Sequence, residues 1–97
     1  VVNNGSYGTI RMHQEREYPG RVSGSDLFNP DFAALARAYG WNAEFLDRTA
    51  DFEAAFQRAL QADKPTLLHL KLDSDVSNTR GTLSAIRAAA LVKAAAR

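Results

Sequence analysis

The sequence predicts an α/β protein with three layers, in which a parallel sheet is flanked by helices. Strand-like segments alternate with helical segments along the chain, and this order is typical of parallel sheets joined by right-handed crossovers. The last strand-like segment, residues 66–72, is apolar on both faces, which indicates a strand covered on both sides. We therefore expect this third strand in the middle, giving the spatial order 1-3-2.

The first strand ends at about residue 4 and leads into a long polar connection, residues 5–28. Connections of this length in compact domains are usually functional or disordered. Within it, only residues 9–17 have the composition of a short helix. Residues 73–81 form a second polar stretch, for which we predict no regular structure.

Three further helices are predicted. The first has Asn29 as N-cap and Pro30 at its first position, and it stops at Gly40. After a short strand at residues 43–46, a helix over residues 50–62 is capped by Thr49. The last helix starts at about Thr82. The predicted inner face of the 50–62 helix consists of Phe52, Ala55, Phe56, Ala59 and Leu60.

The composition of the chain excludes several classes of site and partner. The chain has 97 residues, a net charge of +1 and no cysteine, so it contains at most one domain and no disulfide or thiolate metal site. Its charge does not favour nucleic acid, and no window approaches the roughly 18 apolar residues of a membrane helix. We expect a cytoplasmic protein with no nucleic-acid or membrane partner.

The chain begins with an apolar strand. Val1 and Val2 open the first strand, and in the 1-3-2 order this strand leaves an apolar edge unpaired. We therefore expect residues 1–97 to be a single partial domain, the tail of a larger one.

The first strand delivers two amides and a glycine, Asn3-Asn4-Gly5-Ser6, to the edge where open α/β sheets bind ligands. One interpretation is structural, because asparagine often bonds its own backbone in turns. The other is a site for a hard cation such as Mg²⁺, which prefers oxygen ligands. Such a site would also need an aspartate, and none lies near in sequence.

Three motifs carry a family resemblance: Asn-Asn-Gly-Ser-Tyr-Gly-Thr-Ile at residues 3–10, Asn-Pro-Asp-Phe-Ala-Ala-Leu-Ala-Arg-Ala-Tyr-Gly at residues 29–40, and Lys-Pro-Thr-Leu-Leu-His-Leu at residues 64–70. Together they resemble the C-terminal half of the flavodoxin-like cofactor domain of thiamine diphosphate enzymes. The nearest group is the acetolactate synthase-like family, which includes benzoylformate decarboxylase-like lyases.

The resemblance implies roles for the turn. Asn4 would give a side-chain oxygen to Mg²⁺ and Ser6 its backbone carbonyl, and both would thereby bind thiamine diphosphate. Tyr7 and Gly8 would lie beside the cofactor. The family's Gly-Asp-Gly half of this motif, which holds the missing aspartate, would lie upstream of Val1.

The resemblance also implies a substrate pocket formed by Ile10 and His13. His13 stands where acetolactate synthases have a tryptophan, and Met12 where they have a glutamine, so the family pocket is not reproduced. His13 is a candidate catalytic proton relay, although a solvent-facing helix position is the alternative. His69, between leucines, is predicted to be a hydrogen-bonded core or rim histidine.

These implications give the expected function. The parent enzyme would cleave or form a carbon–carbon bond of a 2-keto acid with thiamine diphosphate and Mg²⁺, as a homodimer or homotetramer, and FAD is left open. The fragment alone would be inactive. The alternative is a non-catalytic flavodoxin-like module that binds a partner protein through its exposed sheet edge and basic C-terminal helix.

Mixed charges on residues 11–21, Glu15 among them, are interpreted as a solvated helix face. The alternative is that Arg11 or Arg16 meets an acidic substrate or a partner subunit.

Overall fold

The computed structural model describes all of residues 1–97. The elements in chain order are β1 (Val2–Asn3), α1 (Gly8–Glu17), α2 (Phe32–Ala38), β2 (Asn42–Leu46), a 3₁₀ turn (Thr49–Asp51), α3 (Phe52–Gln61), β3 (Thr66–Lys71), β4 (Val76–Asn78), β5 (Gly81–Thr82) and α4 (Leu83–Ala95). None of these helices is long and apolar enough to span a membrane.

The chain divides into two compact units. The first, which we call the sheet unit, contains Val1–Asn3 and Asn29–Leu72. The second, the helical unit, contains Asn4–Phe28 and Asp73–Arg97.

The sheet unit contains a three-stranded parallel sheet in the order β1-β3-β2. The predicted fold class and strand order are therefore confirmed. Val2 pairs with Leu70, and Leu46 pairs with the same residue from the other side. The expectation that β3 is covered on both faces is only partly met, because His69 is buried while the leucines around it are half-buried.

The predicted start of α2 is wrong by two residues. Asp31, not Asn29, is the N-cap, and its carboxylate accepts a hydrogen bond from the Ala34 amide at 3.0 Å. The side chain of Asn29 is engaged elsewhere, since its amide donates to the Asn3 side chain at 2.8 Å. The predicted stop is confirmed: Gly40 follows the helix with a φ of +80°, in the left-handed region that favours glycine.

The predicted inner face of α3 is also wrong in part. Ala55 is fully buried, but Phe52, Phe56 and Leu60 are between 41% and 64% exposed. The helix thus meets the sheet through its small residues, and the two phenylalanines stack on each other with centroids 5.7 Å apart. Thr49 does not cap the helix, because it begins the 3₁₀ turn that precedes it.

In the helical unit, α1 packs against α4. Helix α4 begins where predicted, and the Thr82 hydroxyl accepts a hydrogen bond from the Ala85 amide at 3.1 Å. The polar stretch before it, for which no regular structure was predicted, forms the antiparallel hairpin β4–β5. Such short polar strands carry no apolar alternation that would identify them.

The interpretation of residues 11–21 as a solvated face fails at Glu15. Its side chain is fully buried and accepts hydrogen bonds from the Arg87 guanidinium, with Nε at 2.7 Å. The Gly20 amide donates a further hydrogen bond at 3.0 Å. A buried carboxylate is stable when it is paired in this way, and the partner lies 72 residues away in the chain, beyond the reach of local pattern analysis.

Candidate cofactor-binding turn

The asparagine turn of the helical unit is stabilised by its own side chain. The Asn4 Oδ1 atom accepts a hydrogen bond from the Ser6 amide at 3.1 Å, which is the geometry of an Asx turn. Gly5 between them has a φ of +70°, a conformation that glycine adopts without steric cost. The sequence therefore presents an oxygen of Asn4 in a fixed direction.

Gly8 allows this side chain to lie close to the backbone. A Cβ atom added at Gly8 would stand 2.9 Å from Nδ2 of Asn4, which is closer than such atoms approach. Any larger residue at position 8 would displace the Asn4 amide. The resemblance placed Gly8 beside the cofactor, but its contact with Asn4 was not foreseen.

Ser6 is held in place by backbone hydrogen bonds that its two neighbours in the chain make. It forms an antiparallel bridge with Asp26. The flanking bonds run from the Tyr7 amide to the Ser25 carbonyl and from the Leu27 amide to the Gly5 carbonyl, each 2.8 Å long. Ser6 is 8% exposed, and its buried hydroxyl has no hydrogen-bond partner. Its carbonyl accepts no backbone hydrogen bond, so it remains an available oxygen.

The N-terminus of α1 directly follows this turn. Tyr7 is the N-cap and gives no side-chain hydrogen bond, and the first helical turn has no acidic residue. The first amides of such a helix favour an anion. Tyr7 is 52% exposed, so its ring is available to a ligand.

The two predicted pocket residues both lie on α1. Ile10 is 53% exposed. His13 is also exposed, and its Nδ1 atom accepts a hydrogen bond from the Arg16 guanidinium. In the neutral ring the other nitrogen, Nε2, then carries the proton. Next to them, Met12 is half-buried and its sulfur accepts a hydrogen bond from the Asn78 amide at 3.0 Å.

No group of three or more His, Cys, Asp or Glu side chains is arranged to hold a metal ion. The oxygens that the turn offers are an amide and a backbone carbonyl, which are neutral ligands of the kind that hard cations accept.

The sheet unit contains a separate polar cluster. The Nδ2 atom of Asn3 donates to Nε2 of His69 at 2.9 Å, and Asn3 Oδ1 accepts from Asn29. The rings of Phe32 and Phe45 lie nearly perpendicular to the imidazole ring, at centroid distances of 5.2 and 5.0 Å. His69 is 6% exposed, which confirms a hydrogen-bonded core histidine. The hydrogen bond from Asn29 to Asn3 was not predicted, because the sequence pattern at Asn29 is that of a helix cap.

The family model of the thiamine pyrophosphate enzyme C-terminal TPP binding domain matches residues 1–70. The chain belongs to this family. The resemblance expected from the three motifs, including thiamine diphosphate as the cofactor of the family, is thus confirmed, and the parallel α/β sheet agrees with it.

Curated relatives from this enzyme family are similar over most of the chain. The acetolactate synthase isozyme 2 large subunit of Escherichia coli (strain K12) is 35% identical over 74 residues, which are 75% of this chain. The acetolactate synthase large subunit of Parasynechococcus marenigrum is 37% identical over 70% of the chain. The benzoylformate decarboxylase of Pseudomonas aeruginosa is 33% identical over 72% of it. The chain spans only 14%, 11% and 13% of these three relatives, respectively.

Proposed function

We propose that this chain contributes part of a magnesium-dependent thiamine diphosphate site to an enzyme that cleaves or forms a carbon–carbon bond of a 2-keto acid. The observation that carries the proposal is the Asx turn, in which Asn4 is fixed by the Ser6 amide and accommodated by Gly8. The names of the relatives, acetolactate synthase and benzoylformate decarboxylase, support a keto-acid substrate.

The turn fits a magnesium ion. The Oδ1 atom of Asn4 uses one lone pair for the Ser6 amide and keeps a second for a cation. The Ser6 carbonyl has no backbone donor and is the second ligand. Magnesium is commonly held by one or two protein groups together with phosphate oxygens, so the diphosphate completes the shell. An aspartate outside these 97 residues is proposed as the remaining ligand.

The start of α1 is proposed to receive the diphosphate side of the cofactor. Its uncapped amides carry partial positive charge, and Tyr7 and Gly8 stand at this end of the helix. When bound, the cofactor supplies the nucleophile and the electron sink of the reaction. The chain's own groups bind and orient it.

Ile10 and His13 are proposed to line the substrate pocket. Ile10 presents apolar surface, and His13 holds a proton on Nε2 while Arg16 occupies Nδ1. An imidazole with this tautomer donates a hydrogen bond from Nε2, which suits proton donation to a keto acid.

We further propose that residues 1–97 form part of one cofactor-binding domain of a cytoplasmic homodimer or homotetramer. The chain by itself is expected to be inactive, because the proposed metal shell lacks a carboxylate.

The test is paramagnetic broadening by Mn²⁺, which replaces Mg²⁺. The ¹⁵N-labelled 97-residue chain is titrated with MnCl₂ in the presence of thiamine diphosphate, and we expect preferential broadening of the amides of residues 5–8. Asn4→Ala should remove this local effect. Asn4→Asp should strengthen it, because a carboxylate is a stronger ligand for a hard cation. Gly8→Ala should weaken it by displacing the Asn4 amide.

The matched control is Asn42→Ala, which removes an amide from the sheet unit and should leave the broadening at residues 5–8 unchanged. The proposal is wrong if Asn4→Ala retains the broadening of the parent chain. The inference that these 97 residues hold only part of the cofactor site is wrong if calorimetry shows micromolar binding of thiamine diphosphate and Mg²⁺ by the chain alone.

A further inference from the structure

A pocket of about 400 Å³ with a largely apolar wall lies within the helical unit, on residues that the proposed cofactor site does not use as ligands. Its walls come from three elements: α1, the turn of the β4–β5 hairpin and α4. The lining residues are Met12, Arg16, Asn78, Thr79, Arg80, Gly81 and Ile86.

The charge of this pocket has one sign. Arg16 and Arg80 line it, and no acidic residue does. The Arg80 guanidinium forms no ion pair or hydrogen bond; only its backbone amide is engaged. Arg16 donates a hydrogen bond to His13 Nδ1 and is paired with the exposed Glu17 at 3.2 Å, a contact that water screens strongly. The pocket therefore has an unneutralised cationic side.

The positive character continues along α4. An adjoining cavity of about 410 Å³ shares Arg16 and Ile86 with the first and is also lined by Lys93, Arg97 and one acidic residue, Glu17. No acidic residue follows Asp75 in the sequence. The three cations outnumber the one carboxylate, and an excess of positive charge along a cleft raises the local concentration of an anionic ligand.

The turn that carries Arg80 is fixed before any ligand arrives. The Asn78 Oδ1 atom accepts a hydrogen bond from the Arg80 amide at 2.7 Å, and its Nδ2 atom donates to the Met12 sulfur at 3.0 Å. Asn78 also pairs with Gly81 across the hairpin. Thr79, at the tip, is exposed. A preorganised loop loses less conformational entropy when it binds.

We propose that this pocket binds the oxyanion group of a small molecule, a carboxylate or a phosphate. Guanidinium groups recognise both through paired N–H donors, the Thr79 hydroxyl adds a further donor, and Ile86 and Met12 provide an apolar wall for the carbon skeleton. The proposal does not require thiamine diphosphate or a metal.

The experiment is an NMR titration of the ¹⁵N-labelled 97-residue chain with sodium phosphate and, separately, with sodium acetate. Ionic strength is held constant with sodium chloride, because screening alone changes exposed charges. We expect saturable shifts of the amides of residues 78–81 with dissociation constants on the order of millimolar. The probe that binds more tightly identifies the oxyanion as phosphate or carboxylate.

Arg80→Gln should weaken binding roughly tenfold, as expected for the loss of one charge-assisted contact, and Arg80→Lys should restore part of it. Arg80 is exposed and unpaired, so its replacement is not expected to unfold the chain. The control is Arg21→Gln, which removes the same charge from an exposed position of the same unit outside the pocket. Shifts that do not saturate, or equal weakening by Arg21→Gln, would overturn the proposal.

Discussion

The sheet unit and the helical unit each contain a glutamate held by an arginine, but the two carboxylates lie in different surroundings. Glu44 of the sheet unit is 32% exposed at its side chain and accepts hydrogen bonds from Arg58 at 3.0 and 2.7 Å. Glu15 of the helical unit has no exposed side-chain surface and binds Arg87 and the Gly20 amide. The Glu44 carboxylate is therefore partly open to water, whereas the Glu15 carboxylate is enclosed within its unit.

The difference shows what stabilises each unit. In the sheet unit, β3 pairs with strands on both sides. The buried side chains of the unit are mainly apolar, with Ala33, Ala36, Leu46 and Ala55 among them. Hydrophobic burial is therefore its main source of stability. In the helical unit, Glu15 of α1 and Arg87 of α4 join two elements that are distant in sequence. Their pair joins a buried carboxylate to a guanidinium whose side chain is 41% exposed, so water reaches it from one side only.

The largest expected effect is therefore that of Glu15→Ala. This substitution removes the acceptor of Arg87 and leaves the Gly20 amide without its side-chain partner, and charge-assisted hydrogen bonds of this kind each contribute about 2 kcal/mol. We expect the free energy of unfolding in urea to fall by at least that amount.

The matched control is Glu17→Ala, two residues along the same helix, where the carboxylate is exposed and lies 3.2 Å from Arg16. Its effect should stay within roughly 0.5 kcal/mol. If Glu15→Ala and Glu17→Ala lowered the free energy of unfolding equally, the pair of Glu15 and Arg87 would not stabilise the helical unit.

A second prediction concerns acid stability. The hydrogen bond from Arg87 holds the pKa of Glu15 below its ordinary value of 4.5, with burial opposing and the Gly20 amide assisting this shift. A lowered folded-state pKa contributes stability that is present above pH 4.5 and is lost as the pH falls through the folded-state pKa. The free energy of unfolding should therefore decline below about pH 4.5.

Glu15→Gln should flatten this decline, since the amide does not titrate. Glu17→Gln serves as the reference, because Glu17 is exposed and its carboxylate is not buried in the fold. A decline in Glu15→Gln as steep as in Glu17→Gln would mean that other carboxylates, Glu44 among them, govern acid unfolding. The urea midpoint measured between pH 3 and pH 7, about the range over which carboxylates titrate, distinguishes these outcomes.

The same contrast explains what the sequence could predict. The strand order 1-3-2 follows from local pattern, because the most apolar strand belongs in the centre of the sheet. The Asn4 turn is equally local, since an Asx turn needs only Asn4, Gly5 and the next amide. These features depend on neighbours in the chain.

The features that were missed depend on distant partners. The local pattern predicts Asn29 as a helix cap, but its side-chain amide donates to Asn3, 26 residues away. Asp31 caps the helix instead. The local charge pattern predicts a solvated Glu15, because its partner Arg87 lies on another helix. The local sequence does not show whether a polar side chain in a helix pattern caps the helix, faces solvent or bonds a distant residue.

The smallest expected effect is that of Glu44→Gln. The hydrogen bonds from Arg58 lower the pKa of Glu44, but water reaches its side chain, and exposed pairs of this type contribute roughly 0.5 kcal/mol. We expect a loss of that order at neutral pH and a smaller one in 1 M salt, at which ionic screening acts over about 3 Å. Glu53→Gln, an exposed position of α3 without an ion pair, should change the free energy of unfolding less than Glu44→Gln does. A loss from Glu44→Gln as large as that from Glu15→Ala would remove the distinction between the two units, because it would mean that burial of the carboxylate does not decide the strength of its pair.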